Sequence, residues 1–215
     1  YRGIETSFMG EFTFDQGLEV FLQEMPIKNK TYRTFRWGKD LQIWLVEGRD
    51  YRSPNTMADG PEKTIWGKEQ MQWFKRTVKA SNATFKLLIS PTPIIGPDRY
   101  QKKDNHSNKG FYYEGEKIRK FIASQSNMYV ICGDRHWQYV SKHPKYGIVE
   151  FSIGPNSNEH AGGWKQEDVR PEHLYLNVTG GTMTVTIDPD EGGSISVKHY
   201  SVDGLQLNEF KSKAK

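Results

Sequence analysis

The pattern of apolar and polar positions changes character along the chain. Up to about residue 146, segments with apolar side chains three or four positions apart alternate with short apolar runs. The first kind is typical of helices with one buried face, and the second of buried strands. The helices are predicted at residues 15–23, 64–79 and 114–124, and the strands at residues 32–37, 41–46, 85–89 and 128–132.

Beyond residue 146 the chain is rich in strand patterns separated by Gly-rich or Asp/Gly turns. Strands are predicted there at residues 147–153, 174–178, 182–187 and 194–200, the last two joined as a hairpin across residues 189–193. Helices that alternate with apolar strands predict an α/β sheet with crossover connections. No internal repeat and no linker composition divides the chain, so residues 1–215 are expected to form a single domain.

Polar clusters follow the predicted strands or lie in the adjoining loops. They span residues 47–52, 103–108, 133–137 and 154–163. Because ligands commonly bind where the strands of an α/β sheet end, all four clusters are expected to open at one edge of the sheet.

The cluster after the strand at residues 128–132 carries the strongest signal. Gly133 permits a sharp turn, which would let Asp134 and His136 face one crevice. A carboxylate and an imidazole together suit a divalent or trivalent metal. The alternative is an Asp that caps a turn beside a surface His, and spacing alone slightly favours that alternative.

The other clusters have weaker signals. Arg49 and Arg52 are suited to grip an anion or to form surface ion pairs. Residues 104–106 are suited to hold a metal, a water or a phosphate oxygen, although an ordinary polar loop explains them better on its own. His160 is a ligand candidate in a loop that could equally be flexible.

Composition and charge restrict the function only loosely. Hydrophobic residues make up 35% of the chain, and the formal net charge of +4 is spread along it. Nucleic-acid binding would need a continuous basic face, which the scattered charge disfavours. The sequence has no apolar run as long as a membrane span, and one cysteine excludes an internal disulfide.

Three segments together resemble the PhoD-like (alkaline phosphatase D) family of metallophosphoesterases. They are YRTFRWGKDLQIWLVEGRDYRSP, WGKEQ followed by WF, and NMYVICGDRHW. The resemblance extends from about residue 16 to residue 207. It implies an α/β fold of the metallophosphoesterase type, with mixed sheets flanked by helices as α/β/β/α and a β-rich C-terminal part. The chain would be the C-terminal half of such a domain.

The implied activity is hydrolysis of phosphate mono- or diesters at a centre of two or three metal ions, with iron and calcium expected. The substrate would be a small phosphate ester, and nucleic acid would enter only as a diester. The family's habit implies a periplasmic or secreted protein. The alternative function is a non-catalytic, β-rich module that binds carbohydrate or protein.

By their match to family positions, Asp134 and His136 would be metal ligands, and Arg49 and Arg52 would contact phosphate or support the site. The polar clusters supply the other expected site residues: Asp104 as a third metal ligand, Asn105 and Arg135 as further substrate-binding residues, and His106 or His160 as the proton donor. Glu47 stands where the family has Asp, and Asp50 replaces Gln. Relatives supply further ligands from an N-terminal half that ends in a WDDHE-like motif, which has no match here. The chain by itself is therefore expected to be inactive, with that N-terminal half as its partner.

Overall fold

A computed structural model describes residues 13–25, 27, 30–190 and 193–215. The helices are α1 (Phe14–Glu24), α2 (Gly67–Ala80) and α3 (Tyr112–Ala123), with a 3-10 turn at Asn158–His160. The strands are β1 (Arg33–Trp37), β2 (Leu41–Leu45), β3 (Phe85–Ser90), β4 (Met128–Cys132), β5 (Gln138–Lys142), β6 (Val149–Ile153), β7 (His173–Asn177), β8 (Gly181–Asp188), β9 (Ser194–Ser201) and β10 (Gln206–Lys213).

The strands form one large mixed sheet and one small antiparallel sheet. The large sheet has the order β1-β2-β3-β4-β6-β5-β7, and the small one has the order β10-β9-β8. Strands β2, β3, β4 and β6 run parallel to one another, while β1 and β5 pair antiparallel with their neighbours. The predicted α/β organisation and the β8–β9 pairing are confirmed.

Each face of the large sheet buries a different layer. Trp44, Leu88 and Val130 of the sheet pack against α2 and α3 on one face. On the other face, the sheet packs against the small sheet, with Phe151 and Val197 both fully buried between them. Three of the four expected layers, α/β/β, are thus present in the described residues. The core between the two sheets contains no residue of α1, α2 or α3.

The helix ends show how local sequence sets the elements. At the start of α1, the Thr13 hydroxyl accepts from the Gln16 amide, and the Gln16 side chain accepts in return from the Thr13 amide. Helix α2 begins three residues later than predicted. Thr64 still accepts a hydrogen bond near its start, from the Gly67 amide at 2.7 Å, but Gly67 has a φ of +72°, which breaks the helical path before it.

Two strands, β5 and β10, were not predicted. Strand β5 has a buried Gln138 and a buried Ser141 among its apolar residues, so the expected alternation is lost. Strand β10 is largely polar and exposed, so it lacks an apolar pattern. Within the described part of the chain, no helix has the length and apolar character needed to cross a membrane.

Candidate functional site

The predicted polar clusters leave the large sheet at a common edge. Because β2, β3, β4 and β6 are parallel, the loops that follow them all start at the carboxyl ends of the strands. Backbone bonds join these loops to one another: Gly133 N donates to Ser90 O at 3.0 Å, and Gly162 N donates to His136 O at 2.9 Å. The shared edge is therefore the candidate functional site.

The centre of this edge is a buried carboxylate, Asp98, in the loop after β3. Its Oδ1 atom accepts from Arg135 Nη1 at 2.7 Å, and its Oδ2 atom accepts from Asn105 Nδ2 at 2.7 Å and Asn108 Nδ2 at 3.1 Å. Arg135 in turn donates to Asp134 Oδ2 at 2.7 Å. We call Asp98, Asn105, Asn108 and Arg135 the Asp98 bridge, because they connect three segments of the edge.

Sequence reasoning missed Asp98. It stands in a Pro- and Gly-rich loop with no strand pattern around it, and only its position shortly after a buried strand pointed to the edge.

Asp134 and His136 both lie at the end of β4, with exposed side chains. Asp134 has a φ of +64°, a left-handed conformation that turns the chain sharply after Gly133. Their donor types fit a divalent or trivalent metal. Within the described residues, however, no group of three His, Cys, Asp or Glu side chains is arranged to hold a metal ion. These two residues are therefore fewer than the three protein ligands of a catalytic zinc site.

Asp104, the third expected ligand, is not gathered with Asp134 and His136. One of its carboxylate oxygens accepts from Asn105 Nδ2 at 3.1 Å and from Asn108 Nδ2 at 3.2 Å. Its side chain therefore braces its own loop, and the expectation that it completes the metal set stays a prediction.

Two expected substrate-binding residues belong to the Asp98 bridge instead. Arg135 is 3% exposed and binds two carboxylates, Asp98 and Asp134. Asn105 is fully buried; its amide group donates to Asp98, and its carbonyl accepts from Ser107. Both side chains are buried, and their hydrogen bonds hold Asp134 and the loop.

The two expected phosphate-gripping arginines differ in exposure. Arg52 is 5% exposed, donates to Asn55 Oδ1 at 2.7 Å and to the Asp104 carbonyl, and lies over the Phe111 ring. It joins the first cluster to the second, and its expected contact with phosphate stays a prediction. Arg49 is exposed at the same edge.

Glu47, which stands where the family has Asp, caps the turn that carries Arg49. Its carboxylate accepts from the amides of Arg49 and Asp50. Burial raises the pKa of the Glu47 carboxyl, and these amide hydrogen bonds oppose the rise.

His106 is fully buried. Its Nε2 atom lies 2.9 Å from Glu114 Oε2, and its ring packs edge-on against Trp66. Glu114 also accepts from the amide of Ile65 at 2.5 Å and from the Thr64 hydroxyl. Burial alone would raise the pKa of Glu114, but the bonds to His106, Ile65 and Thr64 together lower it. In this structure His106 therefore has a structural role, and its expected role as a proton donor stays a prediction.

His160, the other expected proton donor, is exposed in the 3-10 turn after β6. Its loop is attached to the His136 turn through the Gly162 amide. The accessible members of the expected set are therefore Arg49, Asp134, His136 and His160.

A second buried carboxylate shapes the loop that carries Asp98. Glu150 on β6 accepts from the amides of Ile94, Ile95 and Gly96 at 2.7, 3.0 and 2.9 Å. Its Oε1 atom also accepts from the Tyr139 hydroxyl at 2.8 Å. Three consecutive amides are thus fixed two residues before Asp98, which sets the path of that loop.

The two packed sheets, with polar loops at their shared edge, define a mixed α/β protein. The structure is similar to one described as "Structure of PhoD", with a TM-score of 0.71 and 18% identity over 91% of this chain and 44% of that one. It is also similar to a dimetal phosphatase from Danio rerio, with a TM-score of 0.51 and 10% identity over 86% of this chain and 60% of that one.

The PhoD-like phosphatase family model matches residues 14–191, and the chain belongs to that family. Alkaline phosphatase D of Bacillus subtilis (strain 168) is 24% identical over 156 residues, which are 57% of this chain and 25% of that protein. The chain therefore spans about a quarter of the length of this curated relative.

Proposed function

We propose that this chain forms part of the active site of a metal-dependent phosphoric ester hydrolase, in which Asp134 and His136 are two of the metal ligands. The observation that carries the proposal is the fixed orientation of Asp134. Buried Arg135 holds Asp134 Oδ2, whereas Oδ1 makes no hydrogen bond within the described residues. One oxygen is thus anchored and the other is available to a metal, on a protein of the PhoD-like family.

The remaining ligands would come from residues outside the described part of the chain. Two donors are too few for a two-metal centre, and the curated relative is much longer than this chain. The metals are expected to be iron and calcium by family resemblance. When bound, they would supply charge neutralisation at the phosphoryl oxygens and an acidified water.

The exposed side chains at the edge have distinct proposed roles. Arg49 would bind a phosphoryl oxygen, because a guanidinium donates two hydrogen bonds in a fixed plane. His160 would donate a proton to the leaving alcohol, because a histidine is the side chain that most often acts as a general acid. The Asp98 bridge would position Asp134 without contacting substrate. Export to the periplasm or the outside is proposed from family resemblance alone.

The alternative, a binding module that uses exposed aromatic residues, has less support. Trp37 is 70% exposed, but Trp44, Trp66 and Trp137 are buried in the core. The tryptophans therefore serve mainly as packing residues.

Metal analysis combined with turnover of para-nitrophenyl phosphate tests the proposal. The 215-residue chain and the full-length protein would each be supplied with iron and calcium. We expect negligible turnover from the chain and measurable turnover from the full-length protein. Robust turnover from the chain alone would show that its site is complete and that the proposed external ligands are wrong.

Two His→Ala variants of the full-length protein separate the proposed roles. His136→Ala should lower both bound metal and kcat, the latter by roughly 100-fold or more, because a ligand is lost. His160→Ala should retain the metal and lower kcat by about 100-fold, the scale of one general acid. Unchanged metal content and turnover in His136→Ala would contradict the metal site.

A further inference from the structure

A cavity of about 770 Å³ lies beside the candidate site, between residues 99–102 and 163–170. Both walls are attached to the site. Arg99 directly follows Asp98 of the bridge, and its backbone amide donates to the Asp98 carboxylate at 2.7 Å. Gly163 follows Gly162, whose amide donates to the His136 carbonyl. The cavity is therefore positioned to receive the part of a substrate that extends away from Asp134 and His136.

The lining of the cavity is strongly cationic. Arg99, Lys102, Lys165 and Arg170 contribute positive charges, and Asp168 contributes the one carboxylate of the lining. Lys102 is paired with Asp104 outside the lining, at 3.7 Å. That carboxylate is already bound by Arg170, at 3.1 and 3.0 Å. Within the described residues, the exposed side chains of Arg99 and Lys165 form no hydrogen bond or close ion pair, and Lys165 only acts on Asp168 from a longer distance. An excess of unpaired positive charge in a concave site attracts anions.

Aromatic rings give the cavity a fixed wall. Trp164 is 8% exposed and stacks on Trp137 with ring centroids 5.3 Å apart. The Arg170 guanidinium lies 4.7 Å from the Trp164 ring, and Trp164 Nε1 donates to the Asp168 carbonyl at 2.9 Å. Tyr100 stands at the rim with 76% of its surface exposed. The cavity thus combines apolar surface for an organic group with cations for a charge.

We propose that this cavity is a subsite for a second anionic group of the substrate, carried on the leaving-group side of the scissile phosphate. The proposal rests on the proposed function and specifies its substrate class: phosphate esters whose organic part ends in a further phosphate or carboxylate. The volume exceeds what one phosphate needs and lies within the range of small-ligand pockets, roughly 300–1,000 Å³. Arg99 and Lys165 are the specificity-determining residues, because neither charge is held in a close ion pair.

Binding of two matched probes to the 215-residue chain tests the subsite without turnover. The probes are hexyl phosphate and hexane-1,6-diyl bisphosphate, compared by isothermal titration calorimetry. We expect the bisphosphate to bind about tenfold more tightly, the scale of several exposed charge contacts acting together. Arg99→Ala combined with Lys165→Ala should reduce this preference to within about twofold. Both side chains are exposed, so the fold should be retained.

The control removes the same charge from a different surface. Arg76→Ala combined with Lys79→Ala alters two exposed residues of α2, and it should keep the preference of the wild-type chain. Equal affinity for the two probes in the wild-type chain, or an equal loss in both double variants, would overturn the subsite. Failure of the proposed function is distinguishable, since the full-length protein would then turn over neither probe while the chain still preferred the bisphosphate.

Discussion

Asp98→Asn is the change that most directly tests whether the bridge holds the site together. The replacement has nearly the same shape, but one carboxylate oxygen becomes an NH2 group. Each carboxylate oxygen of Asp98 accepts two hydrogen bonds. Oδ1 accepts from Arg135 Nη1 and the Arg99 backbone amide, and Oδ2 accepts from the side-chain amides of Asn105 and Asn108. In either orientation, the new NH2 group therefore faces two donors.

The magnitude follows from what is left unpaired. Two buried donors without an acceptor cost about 1–3 kcal/mol each. In one orientation the NH2 group also faces Arg135, whose side chain is 1% exposed, and removal of one partner of a buried ion pair costs about 3–5 kcal/mol. These costs overlap, so we expect the free energy of unfolding to fall by about 3–5 kcal/mol at pH 7.

Urea denaturation, followed by tryptophan fluorescence and circular dichroism, measures this change. Asp203→Asn is the matched control, because Asp203 is exposed and the same chemical change there should alter the free energy by less than about 0.5 kcal/mol. A double-mutant cycle of Asp98→Asn with Arg135→Met should show a coupling of at least about 2 kcal/mol. A loss below about 1 kcal/mol for Asp98→Asn, the net value of one ordinary hydrogen bond, would refute the reasoning.

The remaining predictions concern three buried positions, each measured by urea denaturation. Glu114→Gln should lower the free energy of unfolding by about 1–3 kcal/mol at pH 7. Because the pKa of Glu114 is lowered in the folded protein, this difference should shrink as the pH falls below about 4.5. A difference that does not depend on pH would contradict the lowered pKa. Burial lowers the pKa of His199 to about 4, so the free energy of unfolding should fall as the pH is lowered from about 6.5 to about 4. His199→Gln should remove this part of the pH dependence, and an unchanged pH profile would contradict the prediction. Gly115→Ala should destabilise the protein by more than about 1 kcal/mol, because the added methyl group would lie 2.3 Å from the His106 carbonyl oxygen. Ala has a higher helix propensity than Gly, so a stabilised variant would show that this propensity outweighs the steric clash.

Most of the fold could be predicted from the sequence, because the buried apolar residues of a helix or strand recur at regular intervals along the chain. Helices α1 and α3 and strand β4 lie within two residues of their predicted bounds. Strand β5 escaped prediction because its buried polar residues interrupt the pattern. Gln138, for example, is fully buried and donates to the carbonyl of Tyr200 on the other sheet, a partner that no local window contains.

The candidate site was predictable in position but not in the role of each side chain. The strand-then-polar pattern located the edge, because parallel strands end together. The same pattern could not separate exposed His136 from buried His106, since both are histidines in polar loops. Burial there depends on Glu114 and Trp66, which pack against His106 from other parts of the chain.

The sequence by itself determined the α/β organisation and placed Asp134 and His136 at the end of a buried strand. Only the tertiary structure decided which polar residues brace the edge and which remain accessible. The physical reason is distance along the chain: Arg135 meets Asp98 across 37 positions, and Glu114 meets Thr64 across 50. Such pairs form when separate loops pack together at the sheet edge, and no local pattern of residues records them.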